Sequence, residues 1–375
     1  ATAGYFLLAF LDASSIGIAL ADLTGGLLME HHEAASPDDG PEAFLSRLMT
    51  LFDWLLGERA STVDLWGIGI AIPGRVETPK AQPFASPSFH GMLGWEHFKL
   101  VEPLVARYRA PVWVRGGVAM KTLGEQRAGA GRDVPNMVFV DIDREIAAGL
   151  ISEGHLHTGA QGGAGMIGHF PALEHNGLLC KCGNVGCLVT AAGSDALVRD
   201  ATRAAEEGQS RLLADIIAAS DSLTVADIGA AAQRGDAVGA ELMARSGRMV
   251  GTALAAVANA FNPSLVVLAG SVAQASDIVL ATIRETVYRR SHPLVTRDLS
   301  IVRSQMSGSA SLVGTAISIV DDLFATASLS FWVAYGSPLR HPDMAARLAR
   351  ASEPEAREKL GSRPPQLRER NGTKR

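Results

Sequence analysis

The three cysteines of this 375-residue chain fall in one short segment, Cys180-Lys-Cys182-Gly-Asn-Val-Gly-Cys187, and His169 precedes them. Thiolates and imidazole bind Zn²⁺ tetrahedrally. A closed set of three cysteines and one histidine suits a structural ion better than a catalytic one, which keeps an open position. The alternatives are buried thiols or a disulfide, although three cysteines cannot pair evenly. The segment therefore predicts a structural zinc site formed by His169, Cys180, Cys182 and Cys187.

Apolar runs and turn residues predict the elements that must position this site. The first half is predicted to run strand, strand, strand, helix, strand, helix, strand over residues 5–11, 15–21, 25–30, 41–56, 64–72, 95–108 and 112–114. The second half is predicted to contain a hairpin, three helices, a strand, a helix, a strand and a last helix over residues 137–143 and 146–152, 194–203, 225–234, 236–261, 264–269, 275–290, 300–303 and 314–327. This order predicts two α/β domains with a cleft between them, and such clefts are the usual ligand sites.

The same segment carries a family resemblance. Gly162-Gly-Ala-Gly165-Met-Ile-Gly168-His169, Cys180-Lys-Cys182-Gly183 and Gly186-Cys187-Leu188 together resemble the zinc signature of the ROK family of repressors, open reading frames and sugar kinases. Further matches follow in family order at 67–74, 123–125, 129–132, 261–263 and 267–270, so the resemblance covers about residues 5 to 325. It implies a two-domain actin-like, ribonuclease-H-like ATPase fold and a homo-oligomer, either a dimer or a tetramer.

Length and charge complete the domain prediction. A chain of this length exceeds the usual single core, and the resemblance implies a small domain over 1–115, a large domain with the zinc loop over 116–308, and a C-terminal helix over 309–330 that packs back on the small domain. Residues 338–375 carry ten Lys or Arg against five Asp or Glu, which leaves 24 against 34 for the rest. A basic, flexible tail is therefore predicted over 331–375, behind an acidic body that disfavours broad nucleic-acid contact.

The sequence departs from the kinases of this family at both phosphate loops. The first loop should place Gly-Gly-Thr after an aspartate, but here Asp12 is followed by Ala-Ser-Ser-Ile, whose side chains crowd the approach of an anion. The second should read Gly-Thr-Gly-Ile-Gly-Gly-Gly, but here it is Asp143-Arg144-Glu145-Ile146-Ala-Ala-Gly149, which brings two acids to the polyphosphate. Alternatively, these two acids, Asp143 and Glu145, could bind Mg²⁺, which carboxylates bind readily.

The catalytic base and the sugar carboxylates of those kinases are also replaced. Counting back from Glu125, the family's Asn-Asp pair falls on Gly116 and Gly117, which have no side chain to take a proton. The two sugar-binding carboxylates fall on Met166 and Val189. The residues that the sequence places in the cleft are Asp12, Arg115, Lys121, Glu145, Met166, His169 and Val189.

These departures favour a non-catalytic role. The preferred interpretation is the effector-sensing, dimerising body of a ROK-type transcriptional regulator, with a small-molecule effector and with DNA contacted only through a helix-turn-helix outside this chain. A pseudo-kinase that serves as a structural or partner-binding module is the alternative, and an atypical ATP-dependent sugar kinase is a third. Because no apolar run reaches the eighteen or more residues that cross a bilayer, a cytoplasmic protein without membrane contact is expected.

Overall fold

Two five-stranded sheets of similar topology form the framework of the protein. The computed structural model describes residues 4–58, 64–77, 88–90, 94–172, 177–306 and 308–351. The first sheet contains β1 (Tyr5–Leu11), β2 (Ser15–Asp22), β3 (Leu27–Ala34), β4 (Leu65–Ile72) and β7 (Val112–Gly116), in the order β3-β2-β1-β4-β7. The second contains β8 (Met137–Ile142), β9 (Ile146–Ser152), β10 (His155–His157), β11 (Leu265–Ala269) and β12 (Ser300–Arg303), in the order β10-β9-β8-β11-β12. A separate ribbon pairs β5 (Arg75–Glu77) with β6 (Ser88–His90).

Each sheet joins three antiparallel strands to two further parallel ones. β1 is antiparallel to β2 and parallel to β4, and β8 is likewise antiparallel to β9 and parallel to β11. The central strands are continuous apolar runs, such as Tyr5–Leu11, because helices cover both faces of each sheet. As predicted, β1 and β8 therefore occupy corresponding places in two related halves.

The helices lie on both faces of the two sheets. They are α1 (Pro41–Glu58), α2 (Val101–Tyr108), α3 (Gly117–Ala128), α4 (Val189–Ala192), α5 (Ser194–Glu206), α6 (Arg211–Ser220), α7 (Val225–Gln233), α8 (Ala237–Phe261), α9 (Ser271–Ala275), α10 (Asp277–Arg290), α11 (Pro293–Thr296), α12 (Ser309–Phe324), α13 (Thr326–Trp332) and α14 (Pro342–Ala351). The predicted helix over 95–108 begins only at Val101, because a longer helix would place Pro103 in its interior, where proline has no N–H to donate.

Helices α3 and α12 pack against each other where the two halves meet. A methyl group added at Gly124 of α3 would lie 2.0 Å from the carbonyl oxygen of Ala310, and one at Gly314 of α12 would lie 1.8 Å from that of Met120. Only glycine permits this close approach of the two backbones. Since α12 also contacts β1 and β4 while α3 contacts β8 and β9, the helix pair fixes the two sheets relative to each other.

The end of the described chain packs on the first sheet's domain. Trp332 is buried beside Trp66 and Phe324, and Leu348 of α14 belongs to the apolar cluster that also contains residues of α1 and α2. Within the flexible tail predicted over 331–375, the described residues thus include helical turns and α14, and Trp332, Pro338 and Leu348 are buried although most of the segment is exposed. Residues 352–375 of that tail lie outside the described residues.

The described helices were also compared with the length of a bilayer span. No single helix among them is long and apolar enough to cross a membrane. The bent pair formed by α12 and Ser328–Tyr335 reaches the required length and composition only when its two parts are taken together.

Candidate metal site and inter-domain cleft

The four predicted metal ligands converge on one point. The Sγ atom of Cys180 lies 3.7 Å from His169 Nδ1, and the Sγ atoms of Cys182 and Cys187 are 3.7 Å apart. All four ligand atoms lie within 4.8 Å of one another. Two sulfurs bound at about 2.3 Å to a tetrahedral ion are separated by about 3.8 Å. The donor set and its spacing therefore fit a tetrahedral metal ion, and the four residues form a candidate metal site.

Two short backbone segments hold these ligands. His169 ends a 3₁₀ turn (Ile167–His169), and the segment after it pairs with the end of the cysteine loop through the Pro171–Cys187 bridge. Burial raises the pKa of the Cys187 thiol, and the neighbouring sulfurs of Cys182 and Cys180 raise it further, to about 12. Cys187 is thus a poor thiolate by itself, whereas a backbone hydrogen bond at Asn184 lowers the pKa of Cys182. A divalent cation would favour the thiolate form of the sulfurs that bind it.

A buried lysine lies at the floor of the cleft between the two halves. Lys121 Nζ is 2.6 Å from Asp12 Oδ2 and 2.6 Å from Asp141 Oδ2. Asp12 follows β1 of the first sheet, Asp141 belongs to β8 of the second, and Lys121 lies in α3 between them. The residues Asp12, Lys121 and Asp141, named here the cleft triad, therefore join the two halves through one ammonium group.

Burial and the neighbouring charges have opposite effects on the pKa values of Lys121 and Asp141 in the cleft triad. Burial disfavours the charged form of Lys121, but the carboxylates of Asp141 and Asp12 outweigh it and raise the pKa of the lysine. Burial also raises the pKa of Asp141, against the opposing effect of the Lys121 ammonium. A lysine with a raised pKa stays protonated near neutral pH and is a poor general base.

A second cation joins the two halves at the mouth of the cleft. Arg144, in the turn between β8 and β9, lies 2.6 Å from Asp38 Oδ2 of the first half and 3.3 Å from Asp195 Oδ2 of α5 in the second. Both aspartates are more than half exposed, with side-chain exposures of 67% and 62%. Like Lys121, Arg144 thus pairs with one aspartate from each half, but its two ion pairs are exposed to water.

The carboxylate of Asp143, in the turn between β8 and β9, accepts hydrogen bonds from the polar groups around that turn. Its Oδ2 accepts a hydrogen bond from the backbone N–H of Ser271 at 3.1 Å, and its Oδ1 accepts from the backbone N–H of Arg144 at 2.9 Å and from the Ser194 hydroxyl at 3.4 Å. Backbone N–H groups at a helix start are the usual donors to phosphate. Here an internal carboxylate uses them.

The exposure of the Arg144 contacts leads to a prediction of small effect. Replacing Arg144 with glutamine is expected to lower the free energy of unfolding by at most about 1 kcal/mol, because ion pairs in contact with water contribute little. Urea denaturation would measure the change, with Arg211→Gln as the matched control, since Arg211 is 94% exposed. A loss of several kcal/mol would show that the mouth of the cleft is more enclosed than its exposure indicates.

The other residues that were predicted to lie in the cleft do not all contact the cleft triad. Arg115 does not contact the cleft triad, because its guanidinium pairs at 2.5 Å with Asp322 of α12. Glu145 lies close enough to His169 and Lys181 for their charges to oppose the rise that partial burial causes in its pKa. Met166 is 45% exposed at the start of the 3₁₀ turn, and Val189 begins α4.

The sequence did not indicate Asp141 as the partner of Lys121, nor Arg144 as a residue that bridges Asp38 and Asp195. One signal was present for Asp141, since an acid within the apolar strand MVFVDI must find a partner when that strand is buried. Arg144 carried no comparable signal, because a charged turn residue is ordinarily solvated. Its partners come from opposite halves of the fold, far apart in sequence.

Comparison with known proteins identifies the family. The ROK family model matches residues 13–322, and the chain belongs to the ROK family. A glucokinase from Halalkalibacterium halodurans is 28% identical over 306 residues, covering 81% of this chain and 92% of that protein. The DNA-binding transcriptional repressor Mlc of Escherichia coli is 28% identical over 317 residues, covering 84% of this chain and 75% of the repressor.

Solved structures share the architecture as well as the sequence. The crystal structure described as a ROK family transcriptional regulator, a homolog of E. coli Mlc, superposes with a TM-score of 0.71 at 27% identity and covers 88% of this chain and 81% of that chain. The two sheets with their helices are thus the actin-like ATPase fold of ROK proteins, as the sequence predicted. Both kinases and repressors occur among the relatives, so the role of this chain has to be argued from its own residues.

Proposed function

We propose that this chain is the body of a ROK-type transcriptional regulator, which senses a small-molecule effector and dimerises, and that it does not transfer phosphoryl groups. The cleft triad carries this proposal. Its ammonium is already paired at 2.6 Å with one oxygen of each carboxylate, in a place that the resemblance assigns to nucleotide phosphates and metal. A polyphosphate there would have to displace Lys121 or lie against two carboxylates.

The surrounding residues support the same proposal. Gly116 and Gly117 stand where the family's kinases have Asn-Asp, so no side chain is available there to accept the proton of a sugar hydroxyl. The Asp143 carboxylate accepts the hydrogen bond of the Ser271 backbone N–H, which an anionic ligand would otherwise use. Phosphoryl transfer depends on such positioned donors and cations, and here the chain's own carboxylates neutralise them.

We further propose that the ion at His169, Cys180, Cys182 and Cys187 is a structural Zn²⁺. Three sulfurs and one imidazole complete the tetrahedral shell, so no position remains for substrate. The ion would cross-link the segment after the 3₁₀ turn to the start of α4 and would stabilise the loop that carries Met166 and Val189 at its two ends. A dimer or a tetramer, and DNA contact through a helix-turn-helix outside this chain, belong to the same proposal.

A ligand screen tests the proposed function. Thermal unfolding of the chain would be followed with ATP-Mg²⁺ and with a panel of sugars, sugar phosphates and acids. A ligand present at 100 times its dissociation constant stabilises by about 2.7 kcal/mol, which such a screen detects. We expect a shift with one small ligand and none with ATP-Mg²⁺, together with no ATP-dependent phosphorylation of glucose, N-acetylglucosamine or N-acetylmannosamine. Turnover that Asp12→Ala abolishes would contradict the proposal and restore the kinase alternative.

The apolar character of two sugar positions favours a second candidate. Met166 and Val189 replace the carboxylates that the resemblance assigns to sugar binding, so the cleft offers few acceptors for a hexose. A pseudo-kinase that binds a macromolecular partner, and no small molecule, would have the same cleft. Absence of any shift throughout the screen would favour this candidate over the sensor.

A further inference from the structure

A groove lies between the metal loop and the two long helices α8 and α10, away from the cleft triad. It encloses about 280 Å³. Its floor contains Leu188, Met249 and Ala253, which are 2%, 7% and 9% exposed, and Phe170 forms one wall with 39% of its surface exposed. An apolar floor beside an exposed aromatic ring gains free energy when an apolar body displaces water from it.

Three arginines surround this floor. Arg248 lies in α8, and Arg289 and Arg290 end α10. Arg248 and Arg289 each have one exposed glutamate partner, Glu241 and Glu285, whereas no acidic side chain in the described part of the chain lies within ion-pair distance of Arg290. The groove thus has an excess of positive charge at its rim, and guanidinium groups bind carboxylates through paired hydrogen bonds.

A buried hydroxyl group adds an independent observation. Thr286 of α10 lines the groove, is only 2% exposed, and its Oγ1 has no hydrogen-bond partner among the described residues. A methyl group at Gly251 of α8 would come within 2.8 Å of Thr286 Cβ, so α8 approaches α10 closely here. Buried hydroxyls are normally satisfied, and one without a partner beside a groove indicates an unfilled polar contact.

We propose that this groove, defined by Phe170, Leu188, Met249, Ala253, Thr286 and the arginine rim, binds a small apolar carboxylic acid of about the size of an aromatic acid. The apolar body lies on the floor, and the carboxylate lies between Arg290 and its neighbouring arginines. A polyphosphate would leave the floor uncovered, and a neutral sugar would leave the arginines without an anion. A second copy of the chain docked through the same groove would set the arginines of the two copies against each other.

The position of the groove connects it to the metal loop. Phe170 follows His169 and Leu188 follows Cys187, and the backbone N–H of Leu188 donates to the carbonyl oxygen of Phe170 at 2.8 Å. Two residues adjacent to metal ligands therefore form part of the groove. The groove shares no residue with the cleft triad, so binding there does not depend on whether the cleft transfers phosphoryl groups.

A fluorescent probe with a matched neutral analogue tests the proposal. The folded chain would be titrated with 1-naphthoate and with 1-naphthamide. We expect the carboxylate to bind at least about tenfold more tightly than the amide, as a charge-assisted hydrogen bond provides. Arg290→Gln should reduce the affinity for naphthoate about tenfold, and Arg211→Gln on α6 should leave it unchanged. Equal affinity for acid and amide, or no binding of naphthoate at millimolar concentration, would overturn the proposal.

A second pair of variants tests the location. Ala256→Trp fills the groove from an exposed position of α8, and Ala260→Trp places the same side chain at an exposed position one turn further along the helix. We expect the first to abolish naphthoate binding and the second to preserve it. Unchanged binding in Ala256→Trp would place the probe elsewhere.

The oligomeric state of the same variants provides a further outcome. If light scattering shows a dimer that becomes monomeric in Ala256→Trp alone, the groove is an interface between copies, and this result would also overturn the proposal. Should Ala256→Trp fail to fold, the comparison of acid with amide still decides.

Discussion

Replacing Lys121 with methionine is expected to lower the free energy of unfolding by about 3 to 5 kcal/mol. Methionine is similar to lysine in length, so packing changes little and the loss comes from charge. Without the ammonium, Asp12 and Asp141 face each other, and Asp141, only 6% exposed, must either stay charged with no counterion or take up a proton, and both cost free energy. Urea denaturation at neutral pH measures the change, and Lys99→Met at an exposed position is the matched control.

A double variant separates the ion pair from packing. Lys121→Met combined with Asp141→Asn removes the buried negative charge together with its partner. The loss in the double variant should be smaller than the sum of the two single losses by about 1 to 3 kcal/mol, which is the size of coupling between residues in contact. Strict additivity would show that Lys121 contributes by packing alone and would contradict a charge-paired cleft triad in the phosphate position.

The cleft triad joins the two halves of the fold through the chain's own side chains. In a two-domain fold, a ligand that contacts both halves favours the arrangement in which they are close together. Here Lys121 itself contacts both halves, through Asp12 of one and Asp141 of the other. The close packing of α3 on α12 through Gly124 and Gly314 acts in the same direction.

The sequence predicted the central strands well because their signal is local, but β3 was expected over 25–30 and runs over Leu27–Ala34, and β5, β6 and β10 were not predicted. β1 and the β8–β9 hairpin are apolar runs bounded by turn residues, and their observed limits agree with prediction within one residue. The metal ligands were equally accessible, since all four lie within nineteen residues and their chemistry is specific. The four ligand atoms come together as predicted.

Local sequence signals could not predict the cleft triad. Met120, Lys121, Thr122, Gly124 and Glu125 of α3 are all buried, because β8 and β9 cover one side of the helix and α12 covers another. A helix covered on several sides has no polar face, so periodicity cannot show which of its polar residues is paired. The orientation of Arg115 was unpredictable for a similar reason, since its partner Asp322 is more than two hundred residues away.

Removal of the metal ion is also expected to lower the stability of the folded state strongly. Backbone hydrogen bonds, such as that from the Cys180 N–H to the Asn184 carbonyl at 2.7 Å, already shape the loop. A structural ion would add its binding free energy to folding beyond these bonds. With free Zn²⁺ at 1,000 times the dissociation constant, the folded state gains about 4.1 kcal/mol. A chelator such as EDTA should therefore lower the unfolding midpoint strongly, and added Zn²⁺ should restore it.

Cys182→Ser assigns this effect to the predicted ligands. The variant should lose bound metal, measured by atomic absorption, and stability together, because a hydroxyl is a poor ligand for Zn²⁺ in place of a thiolate. Its stability should also become insensitive to EDTA. Lys181→Ala, which alters the exposed neighbour of Cys182, should keep both metal and EDTA sensitivity. A Cys182→Ser protein with the metal content of the unmodified chain would refute the assignment. A protein that loses metal but keeps its stability would leave a bound ion without the structural role, and the ends of the loop near Met166 and Val189 would then need another source of order.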